Sequence, residues 1–478
     1  MADAVAAKGS RVSANPVFSE GYTRLALVLL MFVYTSNFID RTILATLGQP
    51  IKIDLKISDG QLGLLQGFAF AIFYTVLGLP LARLAEHKSR VTILSVCLVI
   101  WSGTTAMCGL ATSFLQLMLC RVGVGVGEAG CSPSAHSLIA DYFPSTKRSS
   151  ALAVYSFGIP LGSMIGAMSG GWIAENLSWR IAFFAVGFPG LLLALIARLV
   201  LREPPRGLSE IEGSAGQKTG DSPPPPMIAV AKRLFSCPSF IQMIIGAALI
   251  SFAGYGVGGF AQPYFIRQFH LGLAEVGLIF GLVTGLSTGL GTLIGGFVTD
   301  WAAKHDRRWY AVAPGIGYLA AVPLYLLTYT APTWGRAMAL IVLPGILSYA
   351  YLGPTFGVMH NLVEPRMRAT ATAILFFILN LFALGGGPFF TGVMSDVFAE
   401  HAFAQAHLGH FLSVCPGGVG PKGASVAAKA LCLSTSALAT RMAILVTFGF
   451  GAWGAIHYFF AAFRIREDMA RAELHASG

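Results

Sequence analysis

Long apolar runs separated by short charged clusters make up most of this chain. Twelve runs are long enough to cross a bilayer as a helix, which takes about 20 mostly apolar residues. They cover 23–47, 60–84, 91–112, 114–141, 150–174, 180–201, 240–268, 275–299, 309–331, 335–361, 369–394 and 440–463. Between the sixth and seventh lies a charged stretch, 202–226, that ends in Pro223–Pro226. It predicts a flexible linker stiffened by polyproline at its end. The expected organisation is a tail at 1–22, a six-helix bundle at 23–201, a linker at 202–239, a second bundle at 240–463 and a tail at 464–478. Residues 395–439 form an unusually long loop in the second bundle.

Composition agrees with the pattern. Of 478 residues, 55% are hydrophobic and 11% charged, with mean hydropathy +0.68. Soluble domains carry about 25% charged residues, so the expected class is a polytopic, all-α membrane protein. The net charge of +10 could suggest nucleic acid, but the basic residues fall in short clusters between apolar runs, as membrane topology requires. With the N-terminus inside, roughly 22 basic residues sit at cytoplasmic ends and about 8 outside, which places both termini and the linker in the cytoplasm. Residues 1–20 lack the apolar core of a signal peptide, so the first span is expected to direct insertion into a cell's inner (plasma) membrane.

Two pairs of charges break this rule. Asp40 and Arg41 lie inside the first run, and Arg121 precedes Glu128 by seven inside the fourth. A charge at bilayer depth costs several kcal/mol unless it meets a partner or a polar cavity, so these four mark a pathway or binding site. At about 1.5 Å of rise per residue, Asp40 lies roughly 23–25 Å from the cytoplasmic edge, and Arg121 comes out at similar depth. Seven residues make nearly two turns, so Glu128 shares a face with Arg121 near the middle. A coupled network of Asp40, Arg121 and Glu128 is expected, with Arg41 nearby. It could exchange protons as its surroundings switch, or hold a phosphate or carboxylate in an arginine fork. A permanent ion pair that only fixes packing is the bland alternative.

The halves repeat. Ala82-Arg-Leu-Ala-Glu86-His-Lys-Ser-Arg90 follows the second run, and Gly296-Phe-Val-Thr-Asp300, then Lys304, Arg307 and Arg308, follows the eighth. His136-Ser-Leu-Ile and His360-Asn-Leu-Val occupy matching places in the fourth and tenth. A parallel repeat of six spans predicts two pseudo-symmetric bundles that rock against each other.

Twelve spans, a central linker and an acid-plus-base motif in both loops resemble the major facilitator superfamily. Within it, Asn37-Phe-Ile-Asp40-Arg41 resembles the first-span motif of the Spinster family. Arg121-Val-Gly-Val-Gly-Val-Gly-Glu128-Ala129, running on to Ile139-Ala-Asp141-Tyr-Phe, resembles that family's fourth span. Departures are Glu86 where an Asp is usual, and Gly158-Ile-Pro160-Leu-Gly162, which inserts Ile into an antiporter-like Gly-Pro motif. The resemblance implies a secondary transporter, proton-coupled and monomeric, for an amphipathic substrate of the sphingosine 1-phosphate or lysophospholipid type. An uncoupled facilitator and a proton-driven exporter of drugs or small amphipathic metabolites are the alternatives.

Other residues fill out the expectation. Glu86, Arg90, Arg148, Asp300, Arg307 and Arg368 are expected to form a cytoplasmic gate between the halves. No charge at membrane depth is identified in the second half. It offers Tyr255, Phe260, Gln262 and Tyr264 in the seventh, Tyr349, Tyr351 and Phe356 in the tenth, and Phe376, Phe377 and Asn380 in the eleventh. With Asn37, these suggest a cavity polar on one side and aromatic on the other. Cys415 and Cys432, with 16 residues between them in the long outside loop, are within reach of a disulfide. The other five cysteines lack metal-ligand spacing. Neither a phosphate-binding loop nor a nucleophile–base or metal set appears, so no cofactor or metal is expected, and neither ATP-driven transport nor an intramembrane enzyme.

Overall fold

The computed structural model describes residues 18–206, 208, 226–364, 367–421 and 423–477, which form helices and loops with no strand among them. Residues 1–17 and Pro223–Pro225 of the linker lie outside the described residues. Twelve helices span the membrane. In order they are Glu20–Thr46, Asp59–His87, Arg90–Cys108, Phe114–Tyr142, Ser150–Asn176, Trp179–Val200, Pro238–Phe269, Leu273–Ala303, Trp309–Tyr329, Trp334–Asn361, Thr370–Gln405 and Val426–Ala472; they are numbered 1 to 12 below.

Local sequence sets their starts. Ser19, Ser58, Ser89, Ser113 and Ser178 each accept a hydrogen bond from a backbone N–H of the first turn that follows. Such caps satisfy donors that a helix leaves unpaired at its N-terminus. Several spans are interrupted, among them spans 4, 5 and 10, which break near Ala129, Phe157 and Ala350. Span 2 breaks at Gly67 (φ −102°, ψ −98°), and span 11 widens into a π-helical segment over Leu379–Gly385.

The long loop is shorter than expected. Span 11 continues to Gln405, and the last helix begins at Val426 and runs unbroken to Ser477. The tail expected at 464–478 is therefore the end of span 12, and it is fastened. Asp468 is buried and accepts from the Ser239 backbone N–H (2.9 Å) and hydroxyl (2.6 Å) at the first turn of span 7. Arg466 pairs with Asp306 after span 8 at 2.5 Å. Ile465, Met469 and Ala472 pack with Val230 and Leu234 of the linker helix Met227–Phe235.

The face from which the linker leaves is called the linker face. There each half has its own core: Leu30, Leu94, Trp101, Leu138 and Tyr155 in one, Phe240, Met243, Tyr351, Leu375 and Tyr458 in the other. At the opposite face the cores merge, with Ile43, Leu62 and Phe183 in one cluster with Phe260, Phe265, Phe280 and Phe448. The seam at that end is backbone against backbone. A Cβ on Gly63 would lie 2.2 Å from the Pro388 carbonyl oxygen, on Gly67 2.2 Å from that of Gly385, and on Gly277 2.2 Å from that of Ala167. Apolar side chains gain little by associating in lipid, so small residues that let backbones touch are what joins such helices.

Cys415 and Cys432 form a disulfide, and Cys97, Cys108, Cys120, Cys131 and Cys237 are free. Alkylating denatured protein without reductant should therefore modify only those five, and prior reduction should expose all 7. Asp468→Ala should lower stability by about 1.5–3 kcal/mol, the worth of charged hydrogen bonds at a buried site, read as a lower melting temperature in detergent.

Candidate functional site

Adjacent residues on a helix point about 100° apart, so Asp40 and Arg41 meet different neighbours. Asp40 turns to span 3, where Trp101 Nε1 donates to its Oδ2 at 2.5 Å and Thr105 lies beside it. Arg41 turns to spans 2 and 4, where its Nε donates to Glu128 Oε2 at 2.9 Å. The same guanidinium sits 5.2 Å from the Phe38 ring, 5.0 Å from Phe70 and 4.7 Å from Tyr74. Three aromatic faces and one carboxylate therefore hold the cation in place of water.

Arg121 also lies over the Phe70 ring, its Cζ 5.4 Å from the centroid. It is buried and enters no salt bridge among the described residues, and its Nε lacks a hydrogen-bond partner. Asp40 Oδ1, Glu128 Oε1 and Asn37 Oδ1 are likewise buried without partners. The cluster thus holds two acids and two arginines, with one ion pair made and several polar atoms free. Asp40, Arg121 and Glu128, the residues of the expected network, lie in one region, and Arg41, expected nearby, pairs with Glu128.

The glycines of span 4 make the close fit possible. A Cβ on Gly125 would lie 2.6 Å from the Phe70 carbonyl oxygen, and one on Gly127 would lie 2.4 Å from the Trp101 nitrogen. Removing these side chains lets the backbones of spans 2 and 3 approach, which carries Phe70 and Trp101 into the site.

Across the gap, the aromatic side chains divide into two groups. Tyr255, Tyr349, Phe376 and Phe377 are exposed, and Asn380 is half-buried within the π-helical segment. Tyr351, Phe260 and Tyr264 instead belong to the core. The Tyr351 hydroxyl bonds Ser251 at 2.6 Å, and that of Tyr264 donates to the Tyr329 carbonyl at 2.9 Å. Gln262 is buried with a free Oε1.

Of the residues expected to gate the linker face, Arg90, Arg148 and Arg368 each bind groups of their own half. Arg90 binds Asp141, Glu203 (2.7 Å) and the Pro204 carbonyl (2.8 Å), all in the first half or the start of the linker. Burial alone would raise Glu203, but donors from Val91, Arg90 and Ser89 hold it below the usual carboxylate range. Arg148 donates to the Ala140 carbonyl and Arg368 to that of His360. Asp300, Tyr310, His360 and Arg368 line a cavity of about 350 Å³, and Arg307 follows in the loop after span 8. Glu86 is exposed at the end of span 2.

Polar contacts between the halves cluster at the opposite face instead. Asp59 accepts two hydrogen bonds from Arg267 (2.8 and 2.7 Å) and one from Ser395 (2.8 Å), and pairs with Lys52 at 2.8 Å. Asp396 accepts from the Asp59 and Gly60 amides at 2.9 and 2.7 Å. Glu175 accepts from the Ala274 amide at 2.7 Å. Burial, and then the neighbouring guanidinium of Arg267, push the Lys52 ammonium below its usual value. Sequence reading missed this cluster and found no charge within the spans of the second half, yet Arg267 and Asp396 fall inside helical spans. Ser58-Asp59-Gly60, a helix-start signal, was the available clue.

Comparison with known proteins accords with this geometry. Residues 30–388 match the family model described as Major Facilitator Superfamily. An MFS-type efflux pump of Mycolicibacterium smegmatis is 34% identical over 80% of this chain and 86% of its own length. Protein spinster homolog 1 of Mus musculus is 26% identical over 96% of this chain and 84% of its own. The crystal structure of a bacterial homologue of the human lysosomal transporter Spinster, inward-facing and unoccupied, superposes with a TM-score of 0.84. It is 33% identical and covers 94% of this chain and 99% of that one. Twelve spans in two six-helix bundles, charges buried between them and these likenesses lead to one conclusion: the chain belongs to the Major Facilitator Superfamily, as a transporter homologous to the Spinster proteins.

Proposed function

We propose that this protein is a proton-coupled, alternating-access carrier of an amphipathic, anionic lipid-like molecule, working as a monomer in a cell's inner membrane with both termini in the cytoplasm. The observation that carries the reading is the unbalanced cluster in the first half. One ion pair, Arg41–Glu128, is made, while Arg121 Nε and one oxygen each of Asp40 and Glu128 are buried without hydrogen-bond partners. Buried charges left that way are costly and invite a ligand or a proton.

The coupling follows from competition for Arg41. An anionic headgroup that takes this guanidinium, together with Arg121, leaves Glu128 buried without its cation. Uptake of a proton by the acid then removes the uncompensated charge. Loss of the proton reverses the exchange and returns Arg41 to Glu128, which drives the headgroup off. Trp101 fixes Asp40 alongside, and the exposed Tyr255, Tyr349, Phe376 and Phe377 offer an apolar wall for the tail. Merged cores at the opposite face and separate cores at the linker face support a cavity that faces the cytoplasm in this state.

Names of relatives support the substrate class. Spinster homologues recur among them, and one of Danio rerio, 27% identical, is a sphingosine-1-phosphate transporter. The efflux pump at 34% identity favours a second reading, export of drugs or other small amphipathic molecules by the same cluster.

Uptake into proteoliposomes should separate these readings, with a panel of lysophospholipids, sphingoid phosphates and drugs tested with and without an imposed pH gradient. Glu128→Gln and Asp40→Asn should each cut gradient-driven accumulation by roughly tenfold or more, as loss of a typical coupling free energy would. Wild-type accumulation and unchanged pH dependence in both variants would remove the proposed coupling.

A further inference from the structure

Between spans 11 and 12 the chain is cross-linked to itself. The Cys415–Cys432 bond is buried with Ala399, Phe403 and Phe411 in a small cluster apart from the main cores. Directly after Cys415 the backbone turns through Gly417 and Gly418, whose φ values of +69° and +78° lie in the left-handed region. That turn lies on the short helix Gly48–Leu55 of the other half. A Cβ on Gly417 would be 2.8 Å from the Lys52 carbonyl oxygen, and one on Gly418 would be 2.9 Å from Lys52 Nζ.

Lys52 is fully buried as a result, with its ammonium 2.8 Å from Asp59 Oδ1. An ion pair open to water contributes little, and the same pair with water excluded interacts several times more strongly. The cover also desolvates Lys52, which is costly. That cost is offset only while Asp59 stays in place, held there by Arg267 and Ser395 of the second half. Lys52 and Asp59 belong to one half; Arg267, Ser395 and the glycine turn belong to the other. Parting the halves at this face must break all of these contacts together.

We propose that the disulfide-closed loop is a latch on this face: its turn at Gly417–Gly418 keeps water from the Lys52–Asp59–Arg267 cluster, and the Cys415–Cys432 bond holds the turn over Lys52. Cutting the bond biases the carrier toward opening at this face. The inference rests on the alternating-access reading above.

Hydrogen exchange followed by mass spectrometry on the full-length protein in nanodiscs tests it. Two variants are compared with wild type: Cys415→Ser with Cys432→Ser, and Gly418→Val, which lifts the turn while leaving the disulfide intact. Both should raise exchange in peptides covering residues 48–66 by roughly tenfold, with the linker helix Met227–Phe235 unchanged. If wild type opens this face on adding a lysophospholipid or sphingoid phosphate while neither variant departs from it, the latch is refuted and alternating access survives. Should wild type hold this face shut with and without these probes, at acidic and at neutral pH, alternating access itself fails. A rise spread evenly over both faces would make the loop a general stabiliser and also overturn the latch.

Discussion

The ion pair between Arg41 and Glu128 organises the first half. Glu128 is fully buried and Arg41 mostly so, and the helices around them supply much of what water would. That requirement explains features with no other common cause. Phe38, Phe70 and Tyr74 face the guanidinium, and span 4 gives up side chains at Gly125 and Gly127 so that neighbouring backbones can close in. Arg121 also lies over the Phe70 ring, and its Nε is left without a hydrogen-bond partner.

The two halves are held together by different means. Within a half, side chains interlock. Between the halves at the opposite face, backbone touches backbone at Gly63, Gly67 and Gly277, and Asp59, Arg267 and Asp396 add polar contacts at the rim. Such a seam is close-fitting when shut, its small residues flanked by the merged core that holds Phe183, Phe260, Phe265 and Phe280. Arg90 and its partners bind the start of the linker to the first half, so the linker face opens without losing that arrangement.

Much of this was readable from the sequence, for physical reasons that also mark its limit. Twelve apolar runs announce twelve spans, and four charges within them announce a site, because lipid tolerates few alternatives. Which arginine pairs with Glu128 was not readable. Helical rise gives depth but not the direction a neighbouring helix faces, so Asp40 and Arg121 shared a level without touching. Trp101 was missed although a lone indole N–H in an apolar span needs an acceptor. Tyr351 and Tyr264 looked like cavity residues because an aromatic ring gives the same signal whether it lines a cleft or fills a core. The Lys52–Asp59–Arg267 cluster stayed hidden since Arg267 lies more than two hundred residues from the other two, and all stand at span ends, where charge is ordinary. The ends of spans 11 and 12 were drawn short because helix continues past the apolar run once other protein covers it.

Span 12 has a mechanical consequence. At about 1.5 Å per residue its 52 residues form a rod near 78 Å long, more than twice the thickness of the hydrocarbon layer. Cys432 ties one end to the loop between spans 11 and 12, and Asp468 pins the other to the first turn of span 7. A stiff shaft gripped at both ends transmits tilt rather than absorbing it. Leaning the top of the second bundle therefore swings its base, and the two mouths of the carrier are geared to each other through one helix.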